Sequence, residues 1–97
     1  MAKRLWSVFT DDMDTCIFTG SPYVERHHIY GAFNRKKSED FGFVVPLRYD
    51  LHPNGARANP KYAKEMDEHL KKTAQEYFES VYGTREEFME IFGRSYL

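Results

Sequence analysis

Residues 23–30 read YVERHHIY, an extended stretch of alternating apolar and polar residues that ends in two adjacent histidines. A second apolar run, Phe43–Leu47, follows it, and His52 stands just beyond that run. Adjacent residues of a β-strand point to opposite faces of the sheet, so His27 and His28 can do different work. The pattern predicts two strands, Tyr23–Ile29 and Phe43–Leu47, with His52 returning to the histidine pair.

The second half of the chain predicts two helices. Asn59 and Pro60 suit the N-cap and the first position of a helix, which we expect to run to about Tyr82. Gly83 ends this helix, and the run TREE from Thr84 is a capping box that opens a shorter one. The longer helix has an apolar stripe at three- and four-residue spacing, made of Tyr62, Met66, Leu70, Ala74, Tyr77, Phe78 and Val81.

The first half of the chain predicts strands and turns. Leu5–Phe9 has the apolar and aromatic content of a strand, and Cys16–Pro22 reads as a short strand or a knuckle closed by turn residues. Gly31–Asp40 is a polar loop in which a helical turn starts at Ser38. Because strands precede helices, we predict an α+β fold, as one domain over residues 1–97.

Composition limits the kinds of stabilisation open to this chain of 97 residues. Cys16 is the only cysteine, so a disulfide within the chain and a zinc site of several cysteines are excluded. Eight Phe and seven Tyr residues lead us to expect a core of large rings. We find no signal peptide and no apolar run near the ~18 residues of a membrane span, and with one free cysteine we expect a reducing cytoplasm.

Charge is unevenly distributed along the chain. The net charge is -1, but residues 26–57 carry six Arg or Lys against three Asp or Glu, a local excess of three positive charges. This segment surrounds the histidines and can meet phosphate, although a solvated loop explains it equally well. We expect Tyr30 and Phe33 to pack in the hairpin rather than stack on bases. The candidate DNA contacts are Arg26, Arg35, Lys36, Lys37 and Arg48.

The three histidines suggest phosphodiester hydrolysis. In this hypothesis His28 is the general base that takes a proton from the attacking water. His27 and His52 bind a divalent cation (Mg²⁺, Mn²⁺ or Ni²⁺), which stabilises the charge on the phosphate and on the leaving oxygen. In the alternative, the histidines have no catalytic role: one of His27 and His28 lies in the core and the other in solvent, and His52 is a loop residue.

The histidines, the loop and the second strand resemble the HNH (ββα-metal) endonucleases, and the double histidine resembles the nuclease colicins. Residues 27–42, HHIYGAFNRKKSEDFG, and residues 82–94, YGTREEFMEIFGR, are similar to small HNH-like proteins of bacteriophages and prophages. The similarity covers roughly residues 16–97. It implies an HNH-like core of a β-hairpin and a helix, DNA as the partner, and metal-dependent cleavage or nicking in a bacterial cytoplasm.

The chain departs from that family at the zinc knuckle. Related proteins often have a Cys-x-x-Cys pair before the first strand, where this chain has Cys16 and Thr19. Arg48 and Leu51 stand where later zinc ligands are expected. We therefore expect no structural zinc, and a fold held by packing instead.

The metal site also departs from the family. A third ligand histidine is expected a few residues after His52, where this chain has Ala56 and Arg57. Asp50 and Asn54 are substitute ligands, and Asn34, which lies earlier than the usual Asn of the motif, is a supporting residue. A second hypothesis follows: an inactive HNH-like protein that binds DNA or inhibits or assists a host or phage protein. A homodimer built on the helices is the third.

Overall fold

The computed structural model describes residues 5–53, 55 and 57–97, so Asn54 and Ala56 lie outside the described residues. The α+β class is confirmed. Along the described chain the elements are β1 (Val24–His28), the 3-10 turn Ala32–Asn34, α1 (Arg35–Phe41), β2 (Val44–Arg48), α2 (Pro60–Val81) and α3 (Arg85–Phe92).

The two strands form an antiparallel pair in which His27 lies opposite Val45 and His28 lies opposite Val44. Both strands begin one residue later than the sequence predicts, and the pairing continues past β1 with a bond from the Ile29 N–H to the Phe43 carbonyl (2.9 Å). The residues of β2 are buried as far as Leu47. The histidine pair therefore ends a strand that is fixed against the core.

The connection between the strands is more helical than the sequence predicts, because α1 begins at Arg35 rather than at Ser38. The buried Ser38 hydroxyl accepts a hydrogen bond from the Tyr30 N–H (3.0 Å) and donates one to the Tyr30 carbonyl (2.7 Å). Gly42 ends α1 in the left-handed conformation, at φ 75°. These contacts hold α1 against the end of β1.

The prediction of a strand at Leu5–Phe9 is wrong for the described residues. The segment contains bends, and one bond from the Val8 N–H to the Gly42 carbonyl (2.9 Å) ties it to the turn before β2. Its apolar content serves packing, since the Phe9 ring stacks on Phe43 at 6.3 Å between centroids. The alternative of a knuckle at residues 16–22 holds, because the Gly20 N–H bonds to the Cys16 carbonyl at 2.9 Å.

The helix caps follow the sequence. The Asn59 side chain accepts a hydrogen bond from the Lys61 N–H (3.0 Å) at the start of α2. Thr84 and Glu87 form the complete capping box of α3, with reciprocal bonds of 3.1 Å. Caps are local interactions, and their residue types therefore identify them without knowledge of the fold.

The apolar stripe of α2 is only partly buried. Leu70, Ala74 and Phe78 lie in the core, but Tyr62 is 41% exposed and Val81 is 58% exposed. Tyr62 and Val81 lie near the two ends of the helix, so the stripe faces the core only along its middle. No helix among the described residues is long and apolar enough to cross a membrane.

Aromatic rings supply much of the core, as expected from composition. The buried Tyr30 ring lies 4.5 to 5.9 Å, between centroids, from four others, and its hydroxyl donates to the Lys71 carbonyl of α2 at 2.6 Å. Tyr30 lies two residues after the end of β1, so the rings anchor that end to α2 and α3. The four neighbours are Phe43, Phe88, Phe92 and Tyr96.

Candidate functional site

His27, His28 and His52 line one pocket, which has a volume of about 270 Å³. The first two end β1, and the third lies in the connection from β2 to α2. The antiparallel pairing returns the chain to the histidine pair, and the structure thus brings together the residues that the sequence singles out. Their roles stay predictions. The pocket is completed by Arg26, Gly31, Ala32 and Arg35; we call it the histidine pocket.

His27 is 2% exposed, and its Nε2 atom has no hydrogen-bond partner among the described residues. Burial, together with His52, His28 and Lys71 nearby, lowers the pKa of His27 to about 3. The imidazole is therefore neutral near pH 7. A buried nitrogen without a partner is unfavourable, and a metal ion is one group that would satisfy it.

His52 lies against His27, with 5.0 Å between the ring centroids and 67° between the ring planes. Its Nδ1 atom is 2.9 Å from Oε1 of Glu25. Since a carboxylate accepts hydrogen bonds, we assign the proton to Nδ1, which leaves the Nε2 lone pair for a ligand. Such a carboxylate behind a ligand histidine fixes the orientation of the ring. Gly55 packs here, where a Cβ atom would lie 3.1 Å from His52 Nδ1.

His28 has a carboxylate partner of its own. Its Nε2 atom is 3.0 Å from Oε1 of Glu39; the His28 side chain is 9% exposed and that of Glu39 is 32% exposed. The same assignment puts the proton on Nε2 and leaves Nδ1 as the nitrogen that can accept one. His28 thus belongs to an acid–imidazole pair, separate from the pair that His27 and His52 form.

Sequence reasoning missed both carboxylates. The position of Glu25 could have been found from the sequence, because it lies two residues before His27 and therefore on the same face of β1. Nothing in the sequence pattern indicates Glu39, since it reaches His28 only when α1 folds back on the strand.

The residues present fit a divalent cation held by two protein ligands. His27 and His52 each offer an imidazole nitrogen in one pocket, and the described residues hold no group of three His, Cys, Asp or Glu placed for a metal. Imidazole pairs suit Ni²⁺, Zn²⁺ and similar ions, whereas Mg²⁺ prefers oxygen ligands. The donor set therefore favours Ni²⁺ over Mn²⁺ and Mg²⁺ among the predicted cations.

The candidate substitute ligands do not complete this set. Asp50 is absent from the lining of the histidine pocket and forms a two-bond ion pair with Arg48, at 2.5 and 2.9 Å. That pairing lowers the pKa of Asp50. Asn54 lies outside the described residues. Arg57, near the place of the expected third ligand, stacks on Tyr49, 4.2 Å from its ring centroid.

The predicted DNA contacts divide into two groups. Arg26 and Arg35 line the histidine pocket. Arg26 also pairs with Asp14 at 3.1 Å, at the border of a larger, open hollow of about 670 Å³ lined by residues 5–7, 10–14 and 26. Lys36 is exposed on α1, next to Arg35. Arg26 and Arg35 thus form the basic rim of the pocket, and Lys36 follows Arg35 on α1.

The remaining predicted site residues make contacts within the fold. Lys37 Nζ donates to the Ile91 carbonyl at 2.5 Å, and Asn34 Nδ2 donates to the Phe92 carbonyl at 3.0 Å. Both contacts satisfy carbonyl groups at the C-terminal end of α3. Asn34 supports the site only indirectly, by fixing the turn next to it.

A comparison with known protein families, curated proteins and solved structures finds no match to this chain. The resemblance to HNH endonucleases therefore rests on the sequence stretches quoted above, and function is a question for the chemistry of the histidine pocket.

Proposed function

We propose that this protein is a metal-dependent DNA endonuclease of the HNH type, of phage or prophage origin, which nicks or cleaves phosphodiester bonds in the cytoplasm of a bacterial host. One observation carries the proposal: His27, His28 and His52 line a single pocket whose walls include two arginines. A site for phosphodiester hydrolysis needs a base, a group that stabilises negative charge, and cations that hold the phosphate. The pocket offers candidates for each.

His28 is the general base. Its Nδ1 atom takes a proton from water, whose oxygen then bonds to phosphorus while the bond from phosphorus to the 3′ oxygen breaks. Glu39 accepts the Nε2–H (3.0 Å) and stabilises the imidazolium that forms. Arg26 and Arg35 hold the phosphate by charge.

His27 and His52 would hold the cation through Nε2. Bound there, a divalent cation supplies Lewis-acid stabilisation of the phosphate and of the leaving oxygen. His27 suits this role because burial keeps it neutral, with a pKa of about 3. Glu25 orients His52 through the 2.9 Å contact to Nδ1.

The incomplete ligand set favours a second function. The described residues hold no group of three metal-ligating side chains, and the net charge of the chain is -1. An HNH-like protein that has lost cleavage would bind DNA, or inhibit or assist a host protein, through the same surface.

A plasmid assay decides between the two. Supercoiled DNA is incubated with the protein and Mn²⁺, Ni²⁺ or Mg²⁺, or with a chelator. We expect metal-dependent nicking that His28→Ala lowers by about 10²- to 10⁴-fold, the range for loss of a general base.

His69→Ala is the matched control, because His69 is an exposed histidine on α2 outside the histidine pocket. It should nick as fast as the wild type. Folded wild-type protein that cleaves with none of the metals, or a His28→Ala variant that keeps full activity, would refute the nuclease and direct the search to a protein partner.

A further inference from the structure

Phe33 is 100% exposed, so the expectation that it packs in the hairpin is wrong. Single exposed apolar residues are common on protein surfaces, but this one has a particular place. It follows Gly31 and Ala32, which line the histidine pocket, and Arg35 of the same pocket comes two residues later. Gly31 and Ala32 also line an adjoining pocket of about 240 Å³. Phe33 thus directly follows, in the chain, the two residues that line both pockets.

The turn that carries Phe33 is fixed on both sides. Ala32 has φ 51°, a left-handed conformation that is unfavourable for a residue with a Cβ atom. The Asn34 N–H bonds to the Gly31 carbonyl (3.0 Å), and its side chain bonds to the Phe92 carbonyl of α3 (3.0 Å). Strained backbone persists only where the surrounding structure holds it. The ring is therefore presented to solvent by a supported turn.

Basic residues lie close to Phe33 along the chain and in the histidine pocket. Arg35 and Lys36 follow it on the first turn of α1, and Arg26 lies across the histidine pocket. An aromatic face next to a basic groove is the combination that proteins use to hold nucleic acid strands, because the cations meet phosphates while the ring stacks on a base. A strand with one phosphate in the pocket would carry its neighbouring base past Phe33.

We propose that Phe33 stacks on the nucleobase next to the phosphate that the histidine pocket binds. This inference rests on the proposed function, since it takes DNA as the ligand, and adds a base contact to the phosphate contacts. It gives the turn Ala32–Asn34 the role of setting how the strand enters the site.

Binding without cleavage tests the proposal. The probe is a single-stranded oligonucleotide that contains 2-aminopurine, whose fluorescence falls on stacking, and a chelator removes metal ions. We expect the wild type to bind and quench it. Phe33→Ala should weaken binding by roughly 5- to 150-fold, the range for loss of one stacked base, and should lose the quenching. Phe33→Trp should retain both.

The matched control is Tyr23→Ala. Tyr23 is another exposed aromatic residue, and it precedes β1, about 16 Å of strand away from His28. Its loss should leave binding and quenching unchanged. Both alanine variants remove an exposed ring and should keep the wild-type melting temperature.

Two results would overturn the proposal: equal affinity and quenching in wild type and Phe33→Ala, or no DNA binding by the folded wild type. The plasmid assay is scored separately. A protein that binds and stacks without nicking keeps the role of Phe33 and refutes the nuclease. One that nicks, with Phe33→Ala binding as the wild type does, keeps the nuclease and refutes the role of Phe33.

Discussion

His27 is a histidine whose charged form is strongly disfavoured by folding. Burial has the largest effect on its pKa, and the nearby His52, His28 and Lys71 act in the same direction. A metal ligand must offer a lone pair, and a neutral buried imidazole with an unpartnered nitrogen meets that need. The same environment means that protonation of His27 in acid destabilises the folded state.

The metal-free protein should lose stability as the pH falls from about 6.5 towards about 3. The pKa of His27 is lower in the folded state than in the unfolded state, so the unfolded chain binds the extra proton in this window and stability is complete only above it. We expect a loss of about 2 kcal/mol from this residue between about pH 7 and about pH 5.

Urea unfolding in a chelator at those two pH values measures the effect. His27→Leu removes the titrating group and should show a smaller loss than wild type, whereas His69→Leu, on an exposed face of α2, should follow the wild type. Equal pH dependence in wild type and His27→Leu would show that the histidine is not held neutral.

At the scale of elements, single residues fix where helices begin and end. Asn59 and Thr84 begin α2 and α3 through their side chains. Gly42 ends α1 for two reasons: its left-handed φ of 75°, and the close approach of the N-terminal segment, whose Trp6 ring would lie 2.7 Å from a Cβ atom there. This contact attaches residues 5–9 to the fold without a strand.

Gly42→Ala should therefore lower the free energy of unfolding more than Gly20→Ala does. Both glycines have φ +75°, but an added Cβ at Gly20 meets nothing within 4 Å. We expect about 1–2 kcal/mol for Gly20→Ala from backbone strain alone. Gly42→Ala should cost about 1–3 kcal/mol more, since it also forces Trp6 and Val8 to move.

Chemical denaturation of the two variants measures the difference. Equal losses would mean that residues 5–9 adapt freely and do not pack tightly on the end of α1.

At the scale of the molecule, the histidine pocket connects separate parts of the chain. His27 and His28 come from β1, His52 from the connection after β2, and Glu39 from α1. A ligand that binds two of these parts in the folded state only must stabilise the whole domain by mass action. Metal binding therefore has a global readout.

Mn²⁺ or Ni²⁺ at about 100 times Kd should add about 2.7 kcal/mol, which is a rise in Tm of roughly 10–20 °C for a domain of this size. His27→Ala should abolish the rise. Glu25→Gln should raise the Kd for metal by about 10- to 100-fold, because it removes the carboxylate behind His52.

Glu39→Gln is the matched control for Glu25→Gln, because it makes the same change at another carboxylate that contacts a histidine. Its partner is His28, which is not a predicted ligand, so the Tm rise should persist while nicking falls. A wild-type Tm that does not respond to any of the three metals would refute the metal site, whatever the nuclease assay gives.

Sequence patterns predicted well those features that depend on neighbouring residues. The caps at Asn59 and Thr84 and the α+β order are confirmed, because each depends on contacts within a few residues. The predictions of a strand at Leu5–Phe9 and of packing for Phe33 are wrong. In each case the outcome depends on whether a distant part of the chain offers a surface to cover the side chain.

The sequence by itself determined the histidine pair, its place at the end of a strand, and the class of the fold. Only the tertiary structure decided the partners: Glu25 reaches His52 over 27 residues and Glu39 reaches His28 over 11. Periodicity and caps are local and can be read along the chain. Burial, the pKa of His27 and the carboxylate partners arise when β1, β2 and α1 pack, so they belong to the folded molecule alone.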